Sequence, residues 1–128
     1  MILRKYMSLL GVGSASVDLI LPKEEYRRGE HIYGHFFIRG GTVEQQIKRI
    51  ECDLVMINKE TGKEEVVDST NILSTRQIDS EELNKIEFTF KLPEVIPVSS
   101  EEISYRFKTK LTFNEGIESR DQDFIRIV

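Results

Sequence analysis

The sequence predicts an all-β protein, an antiparallel sandwich of about seven strands. Apolar and polar residues alternate with period two in several separated runs. Clusters of Gly, Pro, Asn and Asp punctuate those runs as turns do. No stretch carries the 3.6-residue periodicity of a long amphipathic helix. The chain has 128 residues, 39% of them hydrophobic, which suits one compact domain with one sandwich-sized core.

The chain begins with an ambiguous segment. In "MILRKYMSLLGVGSAS", Arg4 and Lys5 precede a weakly apolar run, Met7 to Val12, which Ser8 and Gly11 interrupt. The run is far below the ~20 apolar residues that cross a membrane, and it is short even for a secretion signal. Residues 1–14 are therefore read as an N-terminal arm or short helix, packed on the domain or touching a membrane surface. Residues 15–128 are read as the sandwich. Met1 and Met7 are both open as the start.

Val17, Leu19 and Leu21 alternate with Asp18 and Ile20 until Pro22 stops the strand. "KEEYRRGE" is a polar turn. From His31 to Arg39 the chain is extended again. Ile32, Gly34, Phe36 and Ile38 face one way, and His31, Tyr33, His35, Phe37 and Arg39 the other. Gly40-Gly41 supplies the next turn, on the expectation of positive φ there. In the long run Val43 to Asn58, Ile50, Cys52, Leu54 and Met56 share one face, but Ile47 has the wrong parity. A β-bulge near Lys48-Arg49 repairs it, because one extra residue flips the alternation. "NKETGKEE" is a hairpin turn with Thr61-Gly62 at its tip.

Val66 to Ile78 reads as a weaker, polar edge strand, and "DSEELNK" as a loop or one helical turn. Ile86, Phe88, Phe90 and Leu92 form a clean strand; Pro93 and Pro97 make the next segment a stiff extended loop. Ile103 to Phe113 keeps one apolar parity throughout, with Arg106, Lys108 and Lys110 on the opposite face. "NEGIESRDQD" is read as an acidic loop, and Ile125 and Ile127 as a last strand.

The candidate chemistry is thin. His31 and His35 are four apart, a metal-ligand spacing on a helix. On a strand they lie ~13 Å apart along the chain, too far to share a metal. Glu115, Glu118, Asp121 and Asp123 could supply oxygen ligands to calcium, but their spacing fits no calcium-loop pattern. A solvated loop is the simpler reading. No nucleophile elbow, phosphate loop or zinc spacing is present. Cys52, the single cysteine, reads as a small core hydrophobe, and it makes no demand for an oxidising compartment. The net charge of −4 argues against general nucleic-acid binding. No catalytic residue, cofactor or metal site is assigned, and the expected location is the cytoplasm. The surface assigned to a protein partner combines Arg106, Lys108 and Lys110 with His31, Tyr33 and His35.

The order of landmarks resembles a known family. "VDLILPKEEYRRGEHIYGHFFIRGGTVEQQIKRIECDL" is similar to the opening of an arrestin-like, immunoglobulin-like sandwich. It carries Tyr26, Gly29 and Glu30 as Tyr-x-x-Gly-Glu, then Gly34 in the middle of a strand, then Gly40-Gly41. "IEFTFKLPEVIPVSSEEISYRFKTKLTF" resembles the family's Phe-x-Leu-Pro…Pro-x-Ser segment and following strand. "ESRDQDFIRIV" resembles its Asp-x-Asp-x-Ile-x-Ile close. Within that group, the leader "MSLLGVGSASVD" and the segment Gly40, Gly41, Glu44, Gln45 resemble the bacterial sporulation-control proteins of the stage-zero-M type.

The resemblance covers nearly the whole chain. It implies a non-enzymatic cytoplasmic regulator or adaptor that works by binding protein. Members usually carry a second sandwich, whereas this chain stops at Val128. A function that uses a groove between two sandwiches is therefore not carried over. A sandwich without its neighbour exposes the surface that neighbour covers, so homodimerisation is also expected. A calcium- or lipid-binding sandwich is the alternative reading.

Overall fold

Seven strands of five residues or more, and two of two residues, form two sheets in the computed structural model, which describes residues 15–128. The arm or helix expected over 1–14 lies outside the described residues. The strands are β1 (Ser16–Ile20), β2 (Glu25–Tyr26), β3 (His31–Arg39), β4 (Gln45–Asn58), β5 (Glu64–Leu73), β6 (Gln77–Ile78), β7 (Leu83–Lys91), β8 (Ile103–Phe113) and β9 (Glu118–Ile127). The smaller sheet has the order β1-β3-β7. The larger runs β2-β9-β8-β4-β5, with β6 paired to β4. Every pairing is antiparallel except the short β2–β9 ladder.

The period-two reading of β3 holds along its length. Ile32, Gly34, Phe36 and Ile38 are buried, and the odd-numbered residues face out. Phe88 of β7 lies edge-on to Phe36 of β3 and to Phe107 of β8, at 5.2 and 5.5 Å between ring centroids. That aromatic group joins the two sheets, with ring geometries of the favourable edge-to-face kind. Cys52 is fully buried among these apolar residues, as its place in "IECDLVMI" implies.

The bulge inferred from the parity of Ile47 is present. Ile47 pairs with Phe113 and Arg49 with Thr112, leaving Lys48 as the extra residue. The shift turns Gln45 and Ile47 inward beneath the same core as Ile50. A second shift, on the β5 side of Leu54 and Val55, was not foreseen.

The two landmark segments are tied together by backbone groups. Gly29, at φ +75°, donates its N–H to the Pro93 carbonyl at 3.2 Å. Ser99 N–H donates to the Ile127 carbonyl, and Ser99 Oγ accepts from Ile127 N–H. Tyr105 Oη donates to the Pro97 carbonyl at 2.5 Å. The proline-rich segment is thus held at Pro93 by Gly29, at Pro97 by β8 and at Ser99 by the last strand.

Five expectations need correction. "KEEYRRGE" is not wholly a polar turn, since Glu25–Tyr26 form β2 with Tyr26 buried, and "DSEELNK" ends in strand, since β7 begins at Leu83. "NEGIESRDQD" is not one acidic loop: the turn spans residues 114–117, and β9 begins at Glu118. Carboxylates at the strand's inward positions hid its alternation. The edge strand expected over Val66 to Ile78 is two elements, β5 and β6, because the chain leaves the sheet after Leu73. Gly40 and Gly41 do not adopt positive φ. Gly40 is needed for close approach, since a Cβ there would stand 2.0 Å from the Asp79 carbonyl oxygen.

Candidate functional site

β3 and β8 belong to different sheets, so the six residues expected to form one partner surface occupy opposite outer faces of the sandwich. Arg106, Lys108 and Lys110 alternate with the buried Tyr105, Phe107, Thr109 and Leu111 and line the outer face of the larger sheet. His31, Tyr33 and His35 line the outer face of the smaller one.

The basic stripe is largely neutralised. Glu64, on β5, reaches across β4 to both Arg106 and Lys108, the latter at 2.9 Å. Lys110 Nζ lies 3.2 Å from Glu51, which also faces Arg49 at 3.5 Å. The hydrogen bond from Lys110 holds the Glu51 carboxyl below its usual range, despite some opposing desolvation. Arg106 donates to Gln122 and lies over the ring of Phe124, which is 63% exposed. The face is a zwitterionic lattice rather than a free cationic surface, and alternation alone could not show it. Glu64 belongs to a distant strand, and only the register brings it opposite β8.

The histidine face is less charged. His31 stacks on Tyr33 at 6.2 Å, and His35 tilts against Phe37 at 6.5 Å. Each histidine contacts the aromatic two residues on, as strand geometry dictates. Ile20, paired with His35, is 42% exposed, and Tyr33 is 65% exposed.

Among the described residues, carboxylates that gather to metal-binding distance are Asp18, Asp121 and Asp123, whose ligand oxygens lie within 4.8 Å of one another. Of the four residues singled out for calcium, only Asp121 and Asp123 take part. Glu118 points outward, with Arg120 at 2.9 Å. Asp18 joins from β1 because β1 runs beside β9. Leu19 N–H donates to Asp121 Oδ2 at 2.8 Å, and Val17 N–H to Ser119 Oγ at 3.1 Å. Side chains of β9 thereby occupy the backbone donors of the β1 edge.

Asp123 Oδ2 is sealed from solvent without a partner. Burial first, then the hydrogen bond with Asp121 and the charges of Asp121 and Asp18, push the Asp123 carboxyl up to about 7. Burial and Asp121 also raise Asp18. Calcium takes six to eight oxygens, and one of the oxygens here is committed to Leu19 N–H. Protonation of Asp123 relieves the repulsion with fewer groups. The clue available beforehand was that Asp121 and Asp123 share the parity of Ile125 and Ile127.

Cys52 has no catalytic environment. Its thiol lies 3.5 Å from Thr109 Oγ1, and burial pushes it up to about 12. A thiol so held supplies no thiolate at neutral pH.

Among the described residues, no helix is long and apolar enough to cross a membrane.

Comparison with known proteins places these features in context. The family model described as Spo0M, SpoOM protein, matches residues 3–128. The sporulation-control protein Spo0M of Bacillus subtilis (strain 168) is 30% identical over 128 residues, spanning 95% of this chain and 50% of that protein. The crystal structure of Bacillus subtilis Spo0M superposes with a TM-score of 0.81 at 28% identity, over 91% of this chain and 50% of that one. The chain thus spans about half the length of the relative it matches. Two more distant structures share the fold alone. A Paenibacillus cycloisomaltooligosaccharide glucanotransferase gives a TM-score of 0.58 at 11% identity, over 89% of this chain and 14% of that one. A superoxide reductase (neelaredoxin) of Ignicoccus hospitalis gives 0.54 at 10%, over 98% of this chain and 90% of that one.

Proposed function

The chain belongs to the Spo0M family of sporulation-control proteins, and from that premise we propose that it is a non-enzymatic regulator of the cytoplasm that acts by binding another protein. The observation that carries the reading is the match to a sporulation-control protein along nearly the whole chain, at the level of both sequence and arrestin-like fold. The chemistry of the side chains agrees with it. The thiol is buried and held protonated. The two histidines lie on an outer sheet face, stacked on aromatics. The groups left exposed are those of recognition: aromatic and apolar residues on one face, a lattice of charges on the other.

The test is genetic and biochemical together. Deleting the gene in its native host is expected to change the frequency of sporulation, and restoring the intact gene to reverse it. Cross-linked capture of the tagged protein at the onset of sporulation is expected to recover one partner reproducibly. An unchanged sporulation frequency with no reproducible partner would remove the reading.

A further inference from the structure

The two sheets are unequal. Five strands lie in the main path of the larger and three in the smaller. They are aligned at one side, where β1 packs beside β9. At the other side β5 therefore projects past β7, and among the described residues no strand lies above it. Its burial shows this: none of its ten residues is buried, although Val67 and Ile72 pack partly against the core. The uncovered step is a groove of about 540 Å³, lined by Thr70 and Ile72 of β5, by Lys85, Ile86, Glu87 and Thr89 of β7, and by Arg76.

One wall of the groove is a sheet edge with free backbone groups. β7 pairs with β3 through its even-numbered residues: the ladder is continued by Leu92 N–H to the Glu30 carbonyl and by Gly40 N–H to the Glu82 carbonyl. In a strand, successive residues turn their backbone groups to opposite sides. Lys85, Glu87 and Thr89 therefore aim theirs into the groove. The Lys85 carbonyl confirms the direction, since it accepts from Arg76 at 3.3 Å. That side-chain bond aside, the described residues offer this edge no partner. Natural edges are commonly shielded by charge, bulges or covering loops.

We infer that this groove is a docking site for an extended segment of a partner protein, which adds a fourth strand to the smaller sheet beside β7. The inference rests on the protein-binding reading above and names the surface and the partner's chemistry. Inward side chains of the added strand would be small or apolar, because they fall on Thr70, Ile72 and Ile86. An acidic residue belongs at the Arg76–Lys85 end. Among the described residues neither cation joins an ion pair, whereas Arg106, Lys108 and Lys110 all do. A symmetric β7–β7 pair with a second copy of this chain does not fit the edge, because it would place that copy's larger sheet where β5 projects.

The test uses the full chain. Peptides of about twelve residues, long enough for strand addition, are selected from a random display library. Amide hydrogen exchange is then followed with and without the selected peptide. The expected result is slowed exchange at Lys85, Glu87 and Thr89, in peptides that alternate apolar residues and carry an acidic group near one end. The double variant Arg76→Glu, Lys85→Glu is expected to weaken binding about tenfold or more with the thermal midpoint unchanged. N-methylating alternate peptide residues should abolish binding in one phase only.

Failure to select any binder would overturn the inference, as would binders that leave those three amides unprotected or bind the double variant equally well. Capture of the cellular partner separates the two levels. If wild type and double variant capture it alike, the groove is wrong and the protein-binding reading stands. If wild type captures none, the reading itself fails.

Discussion

Asp123 lies on the side of β9 that carries Ile125 and Ile127 into the core, yet it meets two other carboxylates there. The groups facing it are Asp121 on its own strand and Asp18 on β1, with Phe107 its cross-strand partner on β8 and the Cys52 thiol close enough to feel its charge. Its carboxyl is raised from 3.8 to about 7. A group raised in the folded state contributes stability that is fully present below its unfolded value and is lost as pH rises through the folded one. The contribution is therefore lost between about 3.8 and 7. Asp123→Asn removes the ionisable group and keeps the shape. It is expected to raise the thermal midpoint at about pH 8 and to flatten the decline from about pH 5, both read by calorimetry. Calcium is expected to leave the wild-type midpoint unchanged.

Cys52 gives a second expectation at this scale: native protein resists alkylation by iodoacetamide at neutral pH, and denatured protein reacts, read by mass. Its burial was legible from its parity with Ile50 and Leu54. The carboxylate cluster was legible in part. Asp121 and Asp123 share the parity of two isoleucines, but Asp18 is more than one hundred residues away in sequence, and no local pattern brings it there.

Each long strand was readable where one face is apolar. β3 and β8 were recovered to their ends, and the bulge at Lys48 followed from a single isoleucine out of phase. β9 was truncated because its inward residues Ser119 and Asp121 serve the β1 edge rather than an apolar core. A pattern built on hydrophobicity cannot register a side chain recruited to pair backbone donors.

Gly34 shows a constraint between elements. A Cβ there would stand 2.5 Å from the Ile20 carbonyl oxygen. Gly34→Ala is expected to push β1 off β3, at a cost of about 1–3 kcal/mol, measured by denaturant unfolding. Glu64 joins β5 to β8 across β4 through Arg106 and Lys108. These side chains are partly solvated, so Glu64→Gln is expected to cost only about 0–1 kcal/mol. A much larger loss in the same measurement would mean that the outer lattice holds β5 in place.

The sandwich was legible at the scale of the whole molecule because seven strands of alternating residues have few ways to bury one face each. The relation between the sheets was not. Strand order places the basic stripe and the histidine stripe on opposite sides, and the uneven strand count leaves the step beside β7. Neither follows from any single run of residues. The family match and the fold agree on an arrestin-like member of the Spo0M sporulation-control family, and the proposed protein-binding role falls to its outer faces and edges.

The most direct test is site-specific photo-crosslinking in the native host at the onset of sporulation. A photoreactive residue is placed in turn at Thr89 in the groove, at Tyr33 on the smaller sheet and at Lys108 on the larger. A discrete adduct with one protein, strongest from Thr89, is the predicted result. The absence of a discrete protein adduct from all three positions, in cells that sporulate normally without the gene, would contradict the account.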